Sequence, residues 1–113
     1  MQVLRGLAAV HPKGIVHRDV KPENLFVASA GGEADFVKVL DFGIVRIERD
    51  DAETLTQDGH FAGTPLFMAP EVGAGDEASA QSDVYALGAV FYYLLTGAPV
   101  FQAKGVAAVL RAH

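Results

Sequence analysis

The chain has 113 residues, so it forms at most one small domain. Half of its residues are hydrophobic and its mean hydropathy is +0.24, which excludes a disordered tail. The formal charge is −5 with no run of Lys or Arg, which argues against a nucleic-acid surface. Cysteine is absent, so disulfides and thiolate metal sites are excluded and a reducing, cytoplasmic setting is expected.

In chain order, residues 1–12 are predicted to be helical. Val3, Leu4, Leu7, Ala8 and His11 recur at spacings that put them on one face. Pro12 and Gly14 stop that helix. A polar stretch, 17–24, comes next. Residues 25–27 and 36–40 are short β-prone runs. Gly31-Gly32 marks a turn between them, so this region is read as a β-hairpin. Residues 48–63 are polar and charged and are read as a loop. After an irregular stretch at 73–80, Ser79 or Ser82 is placed to cap a helix over 83–96. That helix is apolar nearly all round, so a buried central position is expected. Gly97 and Pro99 end it, and 105–113 is again helical. The most apolar run, 84–95, is too short for a membrane span.

Three motifs stand in order along this frame. They are His17-Arg18-Asp19-Val20-Lys21-Pro22-Glu23-Asn24, Asp41-Phe42-Gly43 and Ala69-Pro70-Glu71. Each alone is weak; together, with Lys21 and Asn24 at fixed offsets from Asp19, the chain closely resembles the eukaryotic-type (Hanks-type) serine/threonine protein kinases, in a bacterial-like form. The resemblance covers almost the whole chain. It implies an α+β architecture over 1–113: part of the mainly helical C-terminal lobe of the kinase fold, with a small β-hairpin and no N-terminal lobe. No glycine-rich G-x-G-x-x-G loop and no strand lysine precede the first motif, so the N-terminal lobe would have to be supplied in cis.

The implied reaction is transfer of the ATP γ-phosphoryl group to Ser or Thr hydroxyls of protein substrates, with Mg2+. By resemblance, Asp19 orients the hydroxyl and accepts its proton. Lys21 approaches the transferring phosphoryl group and the nucleotide. Asn24 and Asp41 offer the hard oxygens that magnesium prefers. Phe26 matches the floor of the adenine pocket, with a plain core role as its alternative. Arg18 and Arg46 match basic contacts for a phosphorylated activation-loop residue, for which Thr54 and Thr56 are the candidate acceptors. Thr64, in Gly63-Thr64-Pro65, matches a threonine that hydrogen-bonds the catalytic Asp and Lys, and with Lys21 it favours Ser/Thr over Tyr specificity. His17 and Phe42 are read as packed residues. Asp83 is either a carboxylate holding the catalytic-loop backbone or an ordinary first-turn Asp near the helix dipole. Glu71 matches a residue that in the family pairs with an arginine far downstream. Without its N-terminal lobe the chain is expected to be inactive alone. The alternative reading is a catalytically inactive truncated kinase, or an interaction module using the C-lobe surface.

Overall fold

Val3 and Leu7 lie one helical turn apart, and both are buried where α1, Gln2–Val10, meets the rest of the chain. The computed structural model describes residues 2–30, 33–42, 65–102 and 106–113. After α1 the helix tightens into a 3-10 turn over His11–Lys13. Gly14 then stops it in the left-handed region (φ 76°), donating its N–H to the His11 carbonyl at 2.9 Å. A side chain would be strained at this backbone angle, which is why glycine sits here.

The chain next runs extended to a second 3-10 turn, Pro22–Asn24, and enters β1, Leu25–Ala30. This strand pairs antiparallel with β2, Glu33–Val39, as a two-stranded sheet. Both strands are longer than the apolar runs suggested. Ladder pairing continues to Ala30↔Glu33, with a register irregularity between Ala28 and Ala30. Most of the stretch read as a turn between the two β-prone runs is therefore strand. Backbone pairing satisfies N–H and C=O groups whatever the side chains are, so a polar stretch can extend a strand.

The register puts Leu25 opposite Val39 and Val27 opposite Val37, on one face of the hairpin. Leu25, Val37 and Val39 from that face pack on the core, while Phe26 on the opposite face is 54% exposed. The Gln2 side-chain oxygen accepts the Val37 N–H, which ties the start of α1 to β2.

After residue 64 a 3-10 turn, Pro65–Phe67, precedes the short helix α2, Pro70–Gly73. Pro70 opens α2, where a missing N–H is harmless. The sequence reading gave this segment no helix.

The long helix α3 spans Ala80–Thr96 and starts three residues earlier than the helix expected over 83–96. Ser79 and Ser82 explain the difference. The Ser82 N–H bonds the Ser79 hydroxyl at 3.2 Å, and the Ser79 N–H bonds the Ser82 hydroxyl at 2.8 Å, a reciprocal capping box. Both serines cap, where the sequence left a choice between them. Gly97 (φ 72°) ends the helix and donates to the Tyr93 carbonyl at 2.8 Å. α4, Val106–Ala112, closes the described chain.

The core joins Val3 and Leu7 of α1, Val20 of the intervening loop, and Ala86, Leu87 and Val90 of α3. Leu7 and Val90 are fully buried, each worth about 1.5–3 kcal/mol relative to exposure. The expectation of a wholly buried α3 needs correction. Ser82, Asp83, Ala86, Leu87, Ala89 and Val90 are buried, but Val84, Tyr92 and Leu94 are exposed and Leu95 is 83% exposed. An all-round apolar helix needs packing partners on every side, and the described elements cover only the side carrying Ser82, Asp83, Ala86, Leu87, Ala89 and Val90.

Candidate active site

The loop 17–24 is held from three directions. Below it, Asp83 in the first turn of α3 is only 1% exposed. Its Oδ2 accepts the His17 N–H at 2.8 Å and its Oδ1 accepts the Arg18 N–H at 2.9 Å. A third donor, His11 Nε2, reaches the same Oδ2 at 2.9 Å. A carboxylate without hydrogen-bond partners would be very costly to bury, and here each oxygen is served. Both sequence readings of Asp83 therefore hold: it is a first-turn acid and an anchor for the loop backbone.

On the second side, His17 is fully buried. Its Nε2 lies 2.7 Å from the Leu40 carbonyl, which can only accept, so Nε2 carries the proton. Nδ1 then accepts the Asp19 N–H at 3.2 Å. The ring meets Phe42 edge-on, with centroids 4.7 Å apart. His17 is a packed, fully partnered side chain, as read from the sequence. It joins the loop to the end of β2 and thus to Asp41.

The third hold is Asn24, itself 6% exposed. Its Nδ2 donates to the Asp19 backbone carbonyl at 2.7 Å and to Asp19 Oδ2 at 3.1 Å. The Leu40 N–H in turn bonds the Asn24 carbonyl at 2.9 Å. Asn24 thus ties Asp19, β1 and the Asp41 strand end together.

Among the described residues two non-glycine backbone positions are strained, Arg18 at φ 71° and Asp41 at φ 60°. Non-glycine residues in this region cost on the order of 1–3 kcal/mol and persist only when their surroundings enforce them. Both flank the site. At Arg18 the enforcement is visible in the paired His17 and Arg18 amides on Asp83.

The functional atoms left facing outward are few. The Asp19 carboxylate is 43% exposed, and its Oδ2 pairs with Lys21 Nζ at 2.9 Å. The Asp41 side chain is exposed. Because the Asn24 amide nitrogen is committed to Asp19, its carbonyl oxygen is the atom left to act as a ligand. Asn24 oxygen and Asp41 carboxylate are hard donors that fit magnesium. Among the described residues no cluster of three His, Asp or Glu could hold a metal by itself. A cavity of about 80 Å3 lies beside Asp19 and Lys21, walled by Pro65, Phe67, Ala69 and Val72.

Arg18 is exposed at the rim of this cleft. Phe26 faces outward from the hairpin, against a generic core role. Arg46, Thr54, Thr56 and Thr64 lie outside the described residues, as do Gly43 and the loop 48–63.

Sequence reasoning missed three links: His11 to Asp83, Asn24 to Asp19, and His17 to Leu40. Only His11 left a trace, as a polar ring on an apolar helix face, which requires a buried partner. A second cluster lies apart, where the Tyr85 hydroxyl meets His113 Nδ1 at 2.7 Å and Phe101 packs edge-on against the His113 ring at 4.7 Å. Burial holds the His113 imidazole below its ordinary pKa. Burial, and secondarily the Glu71 carboxylate, push the Tyr85 phenol above its ordinary value.

Known proteins are similar to this chain in sequence. The family model described as "Protein kinase domain" matches residues 1–112. The chain is 48% identical to the serine/threonine-protein kinase Pkn1 of Myxococcus xanthus over 112 residues, 99% of this chain and 16% of that protein. It is 44% identical to the serine/threonine-protein kinase PknD of Mycobacterium tuberculosis over 112 residues, 99% of this chain and 16% of that protein. It is 43% identical to the probable serine/threonine-protein kinase PknB of Corynebacterium glutamicum over 111 residues, 98% of this chain and 17% of that protein. The chain thus spans about one sixth of the length of these curated relatives. With residues 1–112 matched by the family model, the chain belongs to the protein kinase domain family and is similar to bacterial Hanks-type serine/threonine kinases.

Proposed function

We propose that this segment supplies the catalytic loop and one metal-binding strand end of a serine/threonine protein kinase. It would form the central part of the C-terminal lobe. The observation that carries the reading is the joint anchoring of Asp19. Asn24 fixes both its backbone and its carboxylate, and Lys21 sits on the same oxygen.

Phosphoryl transfer needs positioning and charge stabilisation far more than covalent work by the protein. The substrate hydroxyl oxygen forms a bond to the γ-phosphorus as the bond from that phosphorus to the β–γ bridging oxygen breaks. ADP leaves, and Asp19 takes the hydroxyl proton. Lys21, held beside Asp19, puts a positive charge where the transferring group becomes more negative. Asn24 and Asp41 would hold magnesium, which when bound spreads the phosphate charge. The cleft walled by Phe67, Ala69 and Val72 would receive the substrate chain beside its acceptor residue. Phe26, exposed on the hairpin, would meet the adenine ring. Arg18, with Arg46, would receive a phosphate on Thr54 or Thr56, and Thr64 would bond Asp19 and Lys21.

The test replaces the matching stretch of full-length Pkn1 with residues 1–112 and measures phosphate transfer from ATP to a Ser/Thr peptide. The chimera should be active. Asp19→Asn should lower turnover by about 10²–10⁴-fold with MgATP affinity nearly unchanged. Asp41→Ala should lower turnover and MgATP affinity together. An inactive chimera, or an Asp19→Asn variant at full rate, would overturn the kinase reading in favour of an interaction module. Equal loss of MgATP affinity in both variants would show the two roles to be misassigned.

A further inference from the structure

We infer that His11, far from the reacting atoms, is a positioning residue for the catalytic loop; this rests on the kinase reading above. His11 opens the turn after α1, and its backbone is fixed by the Gly14 N–H on its carbonyl. Its Nε2 stands 2.9 Å from Asp83 Oδ2. A carboxylate oxygen only accepts, so His11 donates. The same oxygen holds the His17 amide at 2.8 Å, and its twin holds the Arg18 amide at 2.9 Å. One buried carboxylate thus couples His11 to two successive amides of the loop.

The second of those amides belongs to Arg18, whose backbone stands in the left-handed region at φ 71°. An arginine leaves that region when nothing holds it. Asp19 is the next residue, so relaxation at Arg18 would turn its carboxylate away from Asn24 and Lys21. His11 supplies one of the three donors that fix the Asp83 side chain. Without it, Oδ2 keeps a single protein donor in a site almost closed to water. The carboxylate must then rotate or admit solvent, and either loosens the two amide bonds.

The chemistry defines which side chain can replace His11. Glutamine carries an amide N–H at about the reach of imidazole Nε2, whereas the asparagine amide is one carbon shorter. In the Pkn1 chimera, His11→Gln should keep turnover within about threefold of the parent. His11→Asn and His11→Leu should each lose about tenfold in kcat per bound nucleotide, with ATP and peptide KM unchanged, since small misplacements of a reacting group act on turnover.

A role confined to folding makes the opposite forecast: fewer competent molecules, each turning over normally. Parental kcat per bound nucleotide in His11→Asn would therefore overturn the inference. So would a failure of His11→Gln to restore the rate, or a loss of ATP binding that tracks the loss of turnover in His11→Leu and His11→Asn. An inactive parent chimera would instead sink the kinase reading, so the two failures are distinguishable.

Discussion

Replacing Asp83 by Asn keeps the shape of the side chain and reverses the chemistry of one of its oxygens. The carboxylate now receives three donors: the His17 amide, the Arg18 amide and His11 Nε2. An asparagine in the same place offers one oxygen and one NH2 group. If the oxygen faces the Arg18 amide, the NH2 group faces the His17 amide, and two donors meet. The His11 ring can adapt by presenting an unprotonated nitrogen, but a backbone N–H cannot. One amide is then buried without a partner, at about 1–3 kcal/mol. The bond that survives also loses its charge assistance. Removing a buried charge works in the other direction. Its gain is small here, because the carboxylate is already compensated by three donors. We therefore expect a net loss of roughly 2–3 kcal/mol. That is below the typical 5–15 kcal/mol of a folded domain, so the variant remains folded. In a domain of roughly 150–250 residues the loss corresponds to a fall in Tm of about 5–10 °C. Arg18 should relax from its left-handed conformation at the same time, lowering kcat at least about tenfold. Thermal melting and steady-state kinetics of the Pkn1 chimera measure both quantities. Parental Tm together with parental kcat would refute the view that Asp83 holds the loop.

Three further outcomes follow from particular contacts. Asn24→Ala removes both bonds to Asp19 and, on the proposed kinase reading, one magnesium ligand, so turnover should fall by at least about tenfold and the magnesium concentration for half-maximal rate should rise; an unchanged magnesium dependence would contradict the ligand role. Ser79→Ala deletes the reciprocal cap of α3 and should lower stability by about 1 kcal/mol without changing kcat per folded molecule, as read by denaturant titration. His113 has a depressed pKa in the folded state, so as pH falls the unfolded chain takes up the proton first and stability is lost through the ordinary histidine range around pH 6.5. In a Pkn1 chimera extended to carry residue 113, His113→Phe should flatten that acid-side loss in Tm, and an identical pH profile for variant and parent would show that His113 is not its source.

What the sequence determined by itself was local and chemical. The order of Asp19, Lys21, Asn24 and Asp41 pointed to a kinase because each residue type carries its chemistry wherever the chain places it. α1, the hairpin and α3 were legible for a related reason. Apolar spacing, Gly14 and Gly97 at their left-handed stops, and the serines before α3 act over a few residues. The errors lay where local signals fall silent. The strands continue into the 28–34 region because pairing is decided by the partner backbone. α2 is a single turn, too short to show a period. The exposed end of α3 reflects which neighbours reach it, and composition cannot report that.

The assembly of the site was decided by tertiary structure alone. Asp83 and His11 are 72 positions apart in sequence yet share a hydrogen bond, and His17 finds its acceptor at Leu40, 23 positions away. Burial gives such contacts their force. A carboxylate in water needs no particular donors, but Asp83, closed off by the packing of α1 on α3, must find every one of them within the fold. That demand holds Arg18 at φ 71° and sets the direction of Asp19. The sequence named the candidate reacting groups, and the packing that excludes water from Asp83 placed them.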